Sequence, residues 1–373
     1  MSASPVIPKR LLIVCPSWLG DVVMATPALR RIRSALPGAF IGALLRPGLD
    51  ELLAGSDFFD ELHVDRARGV MGPKLVAAKI RPRRYDAALL LTNSFSTALI
   101  TRLAFIPRRV GYARDARGLL LTDKLRAPRR ARPHRGWMPI PAIDYYLHAA
   151  DVLLPRGAPE PSPPLPHLHL AVTTDQDTAA LDILRRARVL NPADDPSAPL
   201  AILNPGGNNP AKRWPADRFA QIALHLLRRR GMHVLLSGAP AERDLTQSIL
   251  EQINSASFPS HLVAADISTL GVTIGSLKGV VRHASLMVTN DTGPRHIAAA
   301  FHIPTIALFG PTDHRWTTLP DSSPNPGTRE RLILSDPSLP PDEVADDHPE
   351  RCRIDRIQTA AVIDAIDAMP TRP

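Results

Sequence analysis

Four clusters of glycine, hydroxyl, acidic and basic residues carry the chemistry legible in this chain of 373 residues. The first, Pro16-Ser17-Trp18-Leu19-Gly20-Asp21, puts a carboxylate at the start of a helical stretch, where it either serves a ligand or complements the helix dipole. The second, NPGGNNPAKRWP from Asn204 to Pro215, has the parts of an anion cradle. Gly206 and Gly207 let a ligand approach the backbone, Lys212 is a compact cation, and Pro215 suits the first turn of a helix. Without Gly-Lys-Ser/Thr it is not a P-loop. The third, SGAPAERD, places Glu242 just past an apolar run, either as a carboxylate for two ribose hydroxyls or as an ordinary acid in a helix's first turn. The fourth, VTNDTGPRHIAAAFHIPTIALFGPT, gathers Asp291, Thr292, Gly293 and His296. A Thr-Gly pair opening a helix beside a histidine suits a diphosphate; the alternative is a structural histidine satisfied in the core. Neither the first cluster nor the second half contains GxGxxG, which argues against a nicotinamide or flavin dehydrogenase.

Each cluster falls where a strand ends and a helix begins, the edge at which open α/β sheets bind ligands. In the first half LLIVC (11–15), FIGALLR and DAALLLTN read as strands and Gly20 to Ala35 as a helix. In the second half LAILN, MHVLLS, SLMVTN and TIALF read as strands, with helices over Pro215–Arg230, Ala241–Asn254 and Gly293–Phe301. Between the halves, 154–170 holds six prolines, which neither a helix nor an internal strand tolerates, and is read as a linker. The expected architecture is α/β: two doubly wound Rossmann-like domains, 1–170 and 171–350, with a ligand in the cleft between them. The segment 351–373 is expected to form a helix that packs back on the N-terminal domain.

Hydrophobic residues at 44% and charged residues at 22% exclude a disordered or fibrous chain, and no apolar run reaches the length of a membrane span. Two cysteines, Cys15 and Cys352, are too few for a disulfide framework, and the N-terminal apolar stretch is too short for a secretory signal, so a cytoplasmic location is expected. Cys15 reads as a buried strand residue. The net charge of +9 is concentrated: 102–135 carries eleven Arg and Lys against two acids, and the remainder is balanced. That stretch has neither the aromatic interleaving nor the zinc or helix-turn-helix spacing of a nucleic-acid binder. It is either an Arg-rich solvated surface or a wall facing an anionic ligand.

GDVVMATPALRRIR, YDAALLLTNSFSTALITRLAFIPRRVGYARDARGLLLTD, NPGGNNPAKRWP and NDTGPRHIAAAFHIPTIALFGPTD resemble the ADP-heptose:lipopolysaccharide heptosyltransferases of glycosyltransferase family nine, the second type most closely. The likeness runs from about residue 10 through HPERCRID to the C-terminal helix. It implies a GT-B fold, an inverting transfer without a metal ion or other cofactor, and ADP-heptose as donor. It further implies Asp21 as general base, Lys212 on the donor phosphate or sugar, Glu242 on the ribose, and Asp291, Thr292, Gly293 and His296 on the diphosphate and heptose, with Gly206 and Gly207 lining the same corner. Acceptor contacts fall to Ser17, Trp18, Gly20, Asn93, Ser94, Arg109 and Arg114. The partner implied is an anionic lipopolysaccharide core, with peripheral contact at the inner membrane and no nucleic acid.

Such a reaction asks little of the protein. One carboxylate suffices when an acceptor hydroxyl attacks opposite the leaving nucleotide, and Lys212 with helix N–H groups would stabilise the departing ADP in place of a metal. Two departures stand out: the loop before Lys212 lacks a glycine common in relatives of the second type, and Arg295 occupies a position where methionine is commoner. An added cation beside His296 is expected to bear on donor choice. The rival readings are a GT-B transferase or epimerase using another nucleotide sugar, and a non-catalytic nucleotide-sugar-binding protein. The acidic stretch 336–350 reads as a solvated loop.

Overall fold

The short apolar runs become parallel strands buried on both faces, which is why they read as unbroken hydrophobic segments rather than alternating ones. The computed structural model describes residues 7–67, 69–130, 136–155, 157–159, 166–191, 193–323 and 328–370. The chain divides into two units: 1–171 with 315–317, and 172–314 with 318–373. The boundary at 171/172 lies one residue past the expected one; parts of the expected linker, 156 and 160–165, lie outside the described residues, as do 131–135 of the basic stretch.

In the first unit β1 (Arg10–Val14), α1 (Leu19–Ala35), β2 (Phe40–Leu45), α2 (Leu49–Leu53), β3 (Glu61–Val64), α3 (Gly72–Ile80), β4 (Ala87–Leu90), α4 (Phe95–Leu103), β5 (Arg108–Tyr112), β6 (Asp123–Leu125) and α5 (Ala142–Leu153) follow in order. The sheet order is β3-β2-β1-β4-β5-β6, parallel throughout, with Leu11 facing Ile41 on one side and Ala87 on the other. This is the Rossmann order, whose direction reverses between β1 and β4, so the crevice for a ligand opens at their carboxyl ends. Helix α1 contains Pro27, which has no N–H for the Val23 carbonyl; the Thr26 hydroxyl donates to that carbonyl at 2.7 Å. Thr26 also accepts from the backbone N–H of His169 at 3.0 Å, which anchors the end of the proline-rich stretch.

The second unit contains α6 (Thr174–Arg186), β7 (Leu200–Asn204), α7 (Ala216–Arg229), β8 (His233–Leu236), α8 (Arg243–Asn254), β9 (Ala264–Asp266), α9 (Ile274–Arg282), β10 (Leu286–Asn290), α10 (Gly293–Ala300), β11 (Thr305–Phe309), β12 (Ser322–Ser323), β13 (Glu330–Leu334) and α11 (Thr359–Ala368). Its order, β12-β13-β11-β10-β7-β8-β9, repeats the same reversal between β7 and β10. Helix α7 buries Phe219, Ile222, Ala223, Leu226 and Leu227 at helical spacing against the sheet.

Two expectations need correction. The C-terminal segment belongs to the second unit: Ile357, Val362, Ile366 and Met369 lie in its core with the buried face of α7. The Trp214 indole donates to the Ile357 carbonyl at 3.0 Å and Arg218 donates to the Asp355 carbonyl at 2.6 Å, fastening that segment. An amphipathic helix does not state which core it covers, and those donors decide it. Nor is 336–350 simply solvated. Asp336 pairs with Arg351, Glu343 lies 2.9 Å from His348, and buried Asp313 accepts from the Ala345 N–H at 3.0 Å.

Candidate active site

The reversal points of the two sheets hold the polar clusters, and each unit has its own. In the first, Asp21 stands in the opening turn of α1, after Trp18, which is 64% exposed at the N-cap position. The phenol of Tyr146 on α5 donates to Asp21 Oδ1 at 3.2 Å. Burial, reinforced by the charge of Asp21, pushes that phenol well above its usual pKa, so it remains a donor. Next to β1, the loop after β4 presents Asn93, whose Oδ1 accepts from Tyr145 and from Arg117 Nη2, both at 3.0 Å. Two donors on one oxygen fix the amide and turn its NH2 group to other partners. Tyr145 stacks on Tyr112 with centroids 3.7 Å apart, and the Arg117 guanidinium, fully buried, also donates to the Tyr112 and Thr92 carbonyls. Burial lowers its pKa to about 10, which leaves it charged at neutral pH.

A cavity of about 190 Å³ opens here, lined by Asp21, Asn93, Arg114, Trp137, Met138 and Tyr145 among others. The Arg114 guanidinium lies 4.3 Å from the centroid of Trp137, and its buried Nε finds no hydrogen-bond partner among the described residues. The structure therefore brings Asp21, Asn93 and Arg114 together. Ser17, Trp18, Gly20 and Ser94 are their chain neighbours and do not line the cavity. Arg109 is not brought to it. It lies opposite Ala88 at the amino end of β5, the wrong edge of a parallel sheet for a ligand, and its guanidinium donates to the Ile106, Pro107 and Leu120 carbonyls. A larger hollow of about 840 Å³ lies beyond the carboxyl ends of β2 and β3, lined by Arg46, Asp65, Arg66 and Ser96.

In the second unit β7 ends at Asn204 and β10 at Asn290, and these two amides hold the loops that follow. Asn290 donates to the Pro205 and Gly206 carbonyls at 2.7 and 3.1 Å, and Asn204 donates to the Thr292 hydroxyl at 2.8 Å. The Thr292 hydroxyl, engaged there, does not cap α10. Glu242 spans two loops: Oε1 accepts from Gly207 N–H at 2.6 Å and Oε2 from Ala239 N–H at 2.8 Å. A Cβ on Gly206 would meet Glu242 Oε2 at 2.1 Å, so the glycine is needed for this closeness as much as for any ligand. The structure thus gives Glu242 a bracing task, with lone pairs still available to a hydroxyl.

Lys212 Nζ reaches Asp291 Oδ2 at 2.9 Å. Arg295 Nη1 reaches Asp291 Oδ1 at 2.9 Å and pairs through Nε and Nη2 with both oxygens of Glu330. Burial favours the protonated form of Asp291, but Arg295 and Lys212 outweigh it and hold the carboxyl down at about 2. The His296 Nδ1 lies 3.1 Å from the Thr292 carbonyl, which can only accept, so Nδ1 carries the hydrogen and Nε2 the lone pair. Nε2 is buried and finds no partner among the described residues. Burial, joined by the charge of Arg295, pushes this imidazole down to about 4 against the opposing pull of Asp291 and Glu330. Arg295 is thus no added cation for a ligand, as the motif suggested, because Glu330 and Asp291 absorb it. Cys15 is buried, and burial pushes its thiol up to about 12.

Tyr145, Tyr146, Trp137, Arg117 and Glu330 are absent from the sequence-derived set. The tyrosine pair had a signal, two adjacent phenols in the amphipathic stretch AIDYYLHAA; Glu330 had none, standing 35 residues from Arg295.

Comparison with known proteins bears on the family and the fold. The chain is 27% identical over 332 residues, 87% of each sequence, to lipopolysaccharide heptosyltransferase 2 of Salmonella typhimurium. Its fold matches the family 9 glycosyl transferase of Veillonella parvula with a TM-score of 0.75 at 22% identity, covering 96% of both chains. It matches the E. coli ADP-heptose heptosyltransferase II with a TM-score of 0.70 at 23% identity, covering 96% of this chain and 98% of that one. The fold is GT-B, as expected. The sequence profile of glycosyltransferase family 9 (heptosyltransferase) matches residues 75–327, well over half the chain, and the protein belongs to that family of glycosyltransferases.

Proposed function

We propose that the protein transfers heptose from ADP-heptose to an anionic lipopolysaccharide inner-core acceptor with inversion at the anomeric carbon. The observation that carries this reading is the corner at the start of α10, where Lys212 stands 2.9 Å from Asp291 and the Thr292 side chain leaves the helix uncapped. An ammonium beside a helix N-terminus suits a diphosphate leaving group, whose growing charge the two would stabilise without a metal ion. Gly206, Gly207, Thr292, Gly293 and His296 complete the donor corner in this reading, with Glu242 offering its remaining lone pairs to the ribose. The acceptor binds the first unit beside Asp21, which takes the proton of the attacking hydroxyl. Asn93 and Arg114 support the acceptor there.

The larger hollow of that unit, with Arg46 and Arg66, suits further anionic groups of the acceptor. Beside it Val70, 97% exposed, and exposed Met71 and Leu75 stand with Lys74, an apolar and cationic combination that supports peripheral contact with an anionic bilayer. Among the described residues no helix is long and apolar enough to cross a membrane.

The test is a donor screen with purified protein, reading nucleotide release and product with and without a lipopolysaccharide-core acceptor. Acceptor-dependent ADP release with a heptosylated product is expected. Turnover confined to a UDP-sugar, including its epimerisation, or nucleotide-sugar binding without turnover, would replace this reading by one of its rivals.

A further inference from the structure

Four alternating charges run inward from the surface: Lys212, Asp291, Arg295 and Glu330. The Lys212 side chain is 22% exposed, whereas that of Arg295 is wholly buried. Arg295 meets Glu330 at 2.6 and 2.9 Å and Asp291 at 2.9 Å, with its guanidinium carbon 4.8 Å from the Phe309 centroid. Glu330, the first residue of β13, also accepts from the Ser322 hydroxyl. Asp291 is therefore held on two sides by unlike partners: Oδ1 by an arginine that cannot leave, Oδ2 by a lysine at the mouth of the corner.

The difference matters when a donor arrives. Diphosphate oxygens compete with Asp291 for Lys212, and a buried carboxylate that loses its only counter-ion either destabilises the site or takes up a proton. We propose that Arg295 is a positioning residue, the standing counter-ion of Asp291, which lets Lys212 pass to the donor phosphate while Asp291 stays ionised and in place. Glu330 is the second half of the device, since Arg295 alone would be an uncompensated buried cation. This inference rests on the reading of the α10 corner as a nucleoside-diphosphate site.

Replacing Arg295 alone would strand Glu330, so the informative variant is Arg295→Met with Glu330→Gln, which removes both charges and keeps a hydrogen-bonding partner for Ser322. Among the described residues, the charged and titratable groups that then still act on Asp291 include Lys212 and His296. ADP binding is measured by calorimetry at pH 7.5 in buffers of different ionisation heat, which counts protons. The double variant is expected to bind ADP at least about tenfold more weakly and to take up about half a proton or more beyond wild type. Arg295→Lys, which keeps a cation, is expected to recover part of the affinity without the extra proton. Wild-type affinity and proton count in the double variant would overturn the proposal.

Should the double variant fail to fold, the wild-type protein supplies the decision. The carboxyl ¹³C signal of Asp291 is expected to remain that of an ionised acid with and without ADP, and protonation on binding overturns the inference. A wild-type protein that ignores ADP but binds UDP refutes the donor assignment alone, and the protons are then counted with UDP. Binding of neither nucleotide overturns both.

Discussion

The phenol of Tyr146 and the carboxylate of Asp21 meet at 3.2 Å, so α5 sets the orientation of a group on α1 that lies 125 residues earlier in the chain. If Asp21 is the general base, Tyr146 positions it. Asp21→Asn is expected to abolish transfer and leave ADP affinity near wild type, measured by product formation and calorimetry. Lost nucleotide binding, or retained turnover, would remove the assignment. Tyr146→Phe is expected to lower kcat by about tenfold with the donor KM unchanged. Losing a hydrogen bond to the charged form raises the carboxyl pKa, so the acid limb of the kcat profile should move to higher pH.

Lys212→Met addresses the leaving group. Removing a cation that stabilises transition-state charge costs on the order of 10²–10³ in kcat. Steady-state kinetics should show that loss, with weakened ADP binding beside it. Because Arg295 still faces Asp291, the melting temperature should fall little. Unchanged kcat would place the leaving-group stabilisation elsewhere.

His296 makes a prediction about acid stability. Its folded pKa of about 4 lies below the ordinary value of 6.5, so the unfolded chain protonates first as pH falls. Stability from this neutral histidine is complete above pH 6.5 and is lost progressively between about 6.5 and 4, by about 3 kcal/mol in total. Urea unfolding of wild type and His296→Gln across that window should show the variant with a flatter dependence. Parallel curves for the two proteins would contradict the buried neutral ring. Asp291 acts lower: its depressed pKa supports the fold above pH 4 and that support fades from there toward 2.

How far the site was legible depends on whether the information was local. Asn290 to His296 lie in one strand-loop-helix turn, and their types and spacing announced the polar strand-loop-helix corner that the fold then built. Arg109 was misjudged because a parallel strand has a binding edge and a blind edge, and the residues RRVGY do not say which end points where. Arg295 was misjudged because its meaning resides in Glu330, a strand partner brought close only by the β11–β13 pairing. The alternation of strands and helices was strong enough to give both sheets, yet α11 found its core through the Trp214 and Arg218 donors that no periodicity reveals.

The exposed Val70, Met71 and Leu75 allow a direct test of membrane contact. Val70→Asp with Met71→Asp should reduce co-sedimentation with vesicles rich in anionic lipid by several-fold at low salt, while turnover of a soluble truncated acceptor is retained. Equal vesicle binding by the two proteins would leave the patch without that role.

The basic stretch that accounts for the net charge of +9 divides in the structure, and the division makes the final prediction. Arg108 pairs with Asp123 and donates to the Leu153 carbonyl, Arg109 donates to three carbonyls, and Arg117 is buried beneath Asn93. These three serve the fold, and reversing them should lower the melting temperature whatever the substrate. Lys124, Arg126 and Arg129 are exposed, and Arg129 lies 4.6 Å from the Trp137 centroid at the edge of the cavity beside Asp21. If this face meets an anionic acceptor, Arg126→Glu with Arg129→Glu should raise the acceptor KM about tenfold at low salt and progressively less as salt screens the interaction. The donor KM should be unaffected, because donor contacts are assigned to the other unit. A matching rise in both KM values, or no salt dependence, would return these arginines to the solvated surface.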